Sequence, residues 1–132
     1  MFLSCGNTGT TNSENTSMQN IEMTPEGLDG TWVSAESNRT LELPLTNALV
    51  TDYGTYTRRG MFVWKCTFSD SNIPITYGGF WFTDKPLVDT VYLGVYKMND
   101  TYFDEESAII HFVWKNGKLY DPQNNEYTKK EN

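Results

Sequence analysis

The 132-residue sequence is poor in cysteine and histidine: it has Cys5, Cys66 and a single His111. One cysteine beside a polar, unpatterned segment and one inside an expected strand do not make a disulfide framework. A lone histidine and no cysteine pair leave no zinc-ligand spacing, so no metal is expected. Basic residues are few, with 10 Lys and Arg against 17 Asp and Glu, for a net charge of −7. The basic pairs Arg58-Arg59 and Lys129-Lys130 are short and separate. Phosphate binding needs a basic footprint, so nucleic acid is excluded as a partner. No apolar run approaches the roughly 20 residues of a membrane helix. From Gly27 to Lys129 there is no helical periodicity, no Gly-x-Ser-x-Gly elbow and no phosphate-cradling glycine loop.

Aromatic residues are plentiful, with four Trp, eight Tyr and seven Phe. They fall in short alternating runs broken by Gly, Pro, Asn and Asp, the pattern of half-buried strands. Strands are expected at Gly30–Ser34, around Leu41–Leu43, at Leu49–Tyr53, Met61–Phe68, Ile73–Phe82, Val88–Met98 and Ala108–Lys115. Shorter ones are expected at Lys118–Tyr120 and around Tyr127. In Met61–Phe68, residues Phe62, Trp64, Cys66 and Phe68 share one face. In Val88–Met98, Val91, Leu93 and Val95 oppose Tyr92 and Tyr96. Gly78-Gly79 suggests a bulge. Asn116-Gly117 between two runs fits a type I′ hairpin, whose central residues need positive φ. About eight antiparallel strands joined by short turns fit an up-and-down barrel, with a β-sandwich as the alternative.

No catalytic residue stands out. His111 alternates with Ile109 and Val113, which suits a packed side chain. Cys66 shares a face with aromatics and suits a buried small hydrophobe. Asp104-Glu105-Glu106 does not match the helix–loop–helix calcium spacing and suits a solvated turn. The chain is therefore expected to bind rather than catalyse, without cofactor. Trp64, Trp81, Tyr92, Tyr96, Phe112 and Trp114 are the candidate ligand-binding residues, lining either a barrel interior or an exposed platform. An interior holding a small apolar or amphipathic ligand is the first reading. The alternative is a surface or periplasmic interaction module with a filled interior, such as an inhibitor, adhesin or assembly factor, recognising a protein.

Leu3-Ser4-Cys5-Gly6 resembles the lipobox of bacterial lipoproteins, which implies lipidation at Cys5 and attachment to the cell envelope, facing the outer membrane or periplasm. Residues 1–5 then read as the remnant of the signal. Residues 6–26 read as a flexible tether, since Asn7–Ser17 is almost wholly Asn, Thr, Ser and Gly. The domain spans 27–129, and 130–132 form a tail. Gly30-Thr31-Trp32 at the first strand resembles the Gly-x-Trp signature of lipocalins and related calycin-like barrels. That resemblance implies that Trp32 closes one barrel end under a basic side chain from a late strand, supplied here by Lys129 or Lys130 as a cation–π contact. The C-terminal helix of typical lipocalins has no room in this chain. Cys5→Ser is expected to shift the protein from the membrane pellet to the soluble fraction on cell fractionation. Unchanged partitioning refutes the anchor.

Overall fold

The computed structural model describes residues 21–67 and 73–130. Cys5, positions 6–20 of the expected tether, Phe68, the Asp70-Ser71-Asn72 turn and residues 131–132 lie outside the described residues. The chain forms α1 (Pro25–Leu28), β1 (Gly30–Ser34), β2 (Arg39–Leu43), β3 (Thr51–Tyr53), β4 (Tyr56–Thr67), β5 (Pro74–Asp84) and β6 (Thr90–Met98). It continues with β7 (Thr101–Tyr102), β8 (Ala108–Lys115), β9 (Lys118–Tyr120) and β10 (Glu126–Lys129). A 3₁₀ turn at Asn47–Leu49 replaces the start of the third expected strand.

The strands close into a ring. β1 pairs β2, β2 pairs β4, and the order then runs through β5, β6, β8, β9 and β10 back to β1, antiparallel throughout. This is an all-β, eight-stranded up-and-down barrel, and the sandwich alternative does not form. β3 and β7 stand off the ring as short flaps on β4 and β6. Each continues a broken stave. β4 is covered by β2 along Val63–Lys65 and by β3 along Tyr56–Arg58, with the chain bowing out between them. β6 is covered by β8 along Thr90–Val95 and by β7 at Lys97 and Met98.

Two bulges set which residues face inward. In β4, Thr57 faces in, Arg59 has no partner in the β4–β5 register, and Gly60 faces in again. Strict alternation from Thr57 would carry Met61 inside; the extra residue carries Phe62, Trp64 and Cys66 inside instead. In β6, Tyr96 is the extra residue opposite Gly78 and Gly79. Gly79 has φ +154°, and a Cβ there would strike the Gly94 carbonyl. The glycine pair thus marks a bulge, as its spacing suggests. Asn116 and Gly117 take φ 51° and 84°, as the hairpin requires.

The interior is filled. Trp32, Phe62, Trp81, Phe112 and Tyr127 are fully buried and pack with Leu41, Leu43, Leu93, Leu119 and Cys66. At one end α1 acts as a plug. Thr24 caps it by accepting from Gly27 N, and Leu28 is fully buried beneath it. Met23 is buried in the same cluster, and Trp114 Nε1 donates to the Ile21 carbonyl at 2.6 Å. Ile21, Met23 and Thr24, which fall within the expected tether, thus pack with or cap the folded part.

Gly60 is a strict requirement. Its missing Cβ would sit against the Pro44 carbonyl oxygen and 2.9 Å from Trp81 Nε1. Trp81 Nε1 already donates to that same oxygen at 2.9 Å. Gly60→Ala is therefore expected to lower stability by about 1–3 kcal/mol through overpacking. Urea denaturation checks it: a midpoint equal to the parent's would refute the close approach.

Candidate functional site

At the end opposite α1 the barrel is floored by polar groups rather than apolar ones. Asp121, just after β9, is buried and takes a 2.7 Å ion pair from Arg39 Nη1. The Tyr127 hydroxyl donates to the same Oδ2 at 2.9 Å, and Trp64 Nε1 donates to Tyr127 Oη at 2.9 Å. The other oxygen, Oδ1, accepts from the backbone N–H groups of Gln123 and Asn125, which shapes the β9–β10 turn. Asn125 Nδ2 also reaches both carboxylate oxygens.

Burial works against charge on Asp121, but the donors from Asn125, Tyr127 and Arg39 outweigh it and hold its pKa below the usual carboxylate value. Burial likewise opposes charge on Arg39, and the Asp121 bond overcomes it. Burial, reinforced by the Asp121 charge, pushes the Tyr127 phenol well above its ordinary range. Burial also pushes Cys66 up to about 12, so its thiol is inert.

Beside this network, and sharing Trp64 and Gln123 with it, lies an open cleft of about 370 Å³, walled by Trp64, Tyr77, Val95, Phe103, Ile110 and Met98. Trp64 and Tyr77 stack at 5.5 Å, and Trp64 meets Phe112 edge-on at 5.3 Å. The lining is mostly apolar carbon, with Ser107 and Gln123 at the rim.

A second depression of about 350 Å³ lies on the outer face of β3, β4, β5, β6 and β8. Tyr53, Tyr56, Phe82 and Tyr92 wall it, Gly94 forms its floor, and Glu106, Ile109 and His111 complete it. The rings meet edge to face: Tyr53–Phe82 at 6.2 Å, Tyr56–Tyr92 at 5.2 Å and Tyr92–His111 at 4.9 Å. The Tyr92 hydroxyl donates to Asp84 at 3.0 Å.

The six expected ligand-binding residues separate accordingly. Trp64, Trp81, Phe112 and Trp114 point inward and are buried, and of these only Trp64 lines the open cleft. Tyr92 and Tyr96 face outward; Tyr92 lines the outer depression, and Tyr96 packs on Phe80 at 5.7 Å. The six do not form one site. His111 is exposed on the outer face rather than packed inside. Trp32 and Lys129 are opposite each other in the β1–β10 register. Lys129 Nζ donates to the Gly27 carbonyl at 3.2 Å, while Trp32 Nε1 donates to Leu28 O and its ring meets Trp114 edge-on at 6.0 Å. Arg39, Asp121, Tyr77 and Phe103 carry no short-range sequence signal, because the contacts that define them join distant strands. Among the described residues, no group of three or more His, Cys, Asp or Glu is arranged to hold a metal. No helix among the described residues is long and apolar enough to cross a membrane.

Comparison with protein-family models, curated proteins and solved structures finds no match to this chain.

Removing the Asp121 carboxylate takes away the charge that the buried Arg39 faces. Asp121→Ala is expected to cost about 3–5 kcal/mol. The pH sign follows from the lowered pKa. Its contribution is present above the unfolded carboxylate pKa of about 3.9 and is lost as pH falls through the lower folded value. Urea midpoints measured from pH 7 down to pH 2 should show this acid fall, smaller in Asp121→Ala. An equal fall in both proteins refutes the assignment.

Proposed function

We propose that this chain is a lipocalin-like binding barrel that holds a small apolar or amphipathic molecule at its open end. The observation that carries the reading is the 370 Å³ mostly apolar cleft beside the Arg39–Asp121 network, in a barrel whose middle is packed solid. A ligand can enter there without unpacking the core, and the mostly apolar walls would desolvate it. The closed eight-stranded ring and Gly30-Thr31-Trp32 on the first strand support the lipocalin-like reading. The Leu3-Ser4-Cys5 motif and the polar composition after it support anchoring in a bacterial envelope through Cys5. An anchored barrel with an end cleft would sample molecules near a membrane surface.

A second reading is favoured by the exposed tyrosines Tyr53, Tyr56 and Tyr102 and by Ile109 on the outer wall. Such a face suits a protein-interaction module that uses the barrel only as a rigid scaffold.

N-phenyl-1-naphthylamine, whose emission rises in apolar surroundings, tests the first reading. It is expected to bind with a Kd on the order of 10 μM. Ala108→Trp, at an exposed rim position, should weaken it at least about tenfold while circular dichroism stays unchanged. No emission increase, or equal binding in the variant, overturns the proposal.

A further inference from the structure

The outer depression is a separate site from the open-end cleft, and its chemistry points to a different ligand. Its walls are aromatic on several sides, and among the described residues Glu106 is the one formally charged side chain that lines it. Glu106 reaches over Gly94, and Asp84 accepts from the Tyr92 hydroxyl at its edge. The neighbouring cations are already engaged. Arg58 Nε donates to the Leu49 carbonyl and Lys85 pairs with Asp52 at 2.6 Å. Neither lines the depression.

We propose that this depression binds a methylated ammonium group, the head of a choline-type molecule. The alternatives fit less well. An anion would meet Glu106 and Asp84 in a chain of net charge −7. A bare metal ion needs several oxygen ligands, and the lining offers one carboxylate beside rings. A neutral apolar molecule would leave the negative edge unused. A methylated ammonium presents a diffuse, weakly hydrated positive charge on an apolar surface. Ring quadrupoles attract it, and a carboxylate at contact distance adds to the pull.

This wall already holds one such contact internally. The Arg58 guanidinium lies 5.0 Å from the Phe80 ring centre and 5.7 Å from that of Tyr53. Gly94 supplies the room. A Cβ there would meet the end of Glu106 and lie 3.5 Å from Phe82 Cε1, so a side chain would fill the floor.

Titration of the full chain with choline, followed by amide NMR, tests this. Signals of Phe82, Tyr92, Gly94, Ile109 and His111 should shift, with a Kd on the order of 1 mM. The uncharged isostere 3,3-dimethylbutan-1-ol should bind at least about fivefold more weakly. Tyr56→Leu keeps apolar bulk at a partly exposed position but loses the ring, and should weaken choline about fivefold. Glu106→Gln, at an exposed position, should weaken it about threefold. Short-chain phosphatidylcholine below its micelle threshold identifies the source. Tighter binding than choline supports the proposal with a lipid headgroup, and equal or weaker binding supports it with a free ion. Absent groove shifts at about 50 mM choline, or equal affinity for the neutral isostere, overturn it. Because the groove and the open-end cleft share no lining residue, failure here leaves the naphthylamine result standing.

Discussion

The Asp121 carboxylate is the group on which the open half of the barrel depends. One oxygen shapes the β9–β10 turn by accepting from Gln123 and Asn125. The other gathers Arg39 from β2 and Tyr127 from β10, and Tyr127 in turn receives Trp64 from β4. One side chain thereby ties four separate staves together at the level where the apolar core ends. Burying a charge is costly unless its oxygens are saturated with donors, and here they are. The cost is tolerated because the network closes the barrel without more apolar bulk.

The two bulges have a comparable reach. Without the extra residue at Arg59, β4 would present Met61 rather than Phe62 and Trp64 to the core. Without the extra residue at Tyr96, strict alternation from Val95 would carry Lys97 rather than Met98 to the cleft side. Each bulge lies near a point where the neighbouring stave leaves the sheet and returns, Pro44–Val50 beside β4 and Phe103–Ser107 beside β6. The first excursion brings the Pro44 carbonyl onto Gly60 and Trp81. The second lays Glu106 across Gly94 and brings Phe103 to the open cleft. Irregularity in the ladder thus creates both candidate sites, while the regular parts supply the packed core.

Much of this was legible in the sequence. Period-two alternation identified the strands and sorted Val91, Leu93 and Val95 from Tyr92 and Tyr96. The Asn116-Gly117 turn and the Gly78-Gly79 bulge had local signatures with direct steric causes. Alternation cannot say how strands from distant parts of the chain meet, however. Arg39 and Asp121 are 82 positions apart, and nothing in either neighbourhood marks them as partners. The same limit grouped Trp64, Trp81, Phe112 and Trp114 with Tyr92 and Tyr96 as one site. Aromatic identity is shared, but pleat direction separates them onto opposite sides of one wall. His111 followed its pleat outward, because its neighbours Ile110 and Phe112 took the inward positions.

An eight-stranded barrel encloses so little space that side-chain size decides whether any of it stays open. Four tryptophans inside one such barrel use the available volume, so the concave surfaces that remain are those the packing leaves over. Those are an end, where Trp64 and Tyr77 line an open cleft beside the polar network, and an outer wall, where aromatic rings meet edge to face around Gly94. The outer wall has a cost of its own. Tyr53, Tyr56 and Ile109 expose apolar area that a purely structural barrel could replace with polar side chains without touching its core. Their arrangement edge to face, around a glycine floor and beside carboxylates, is what distinguishes a concave binding surface from scattered exposed hydrophobes.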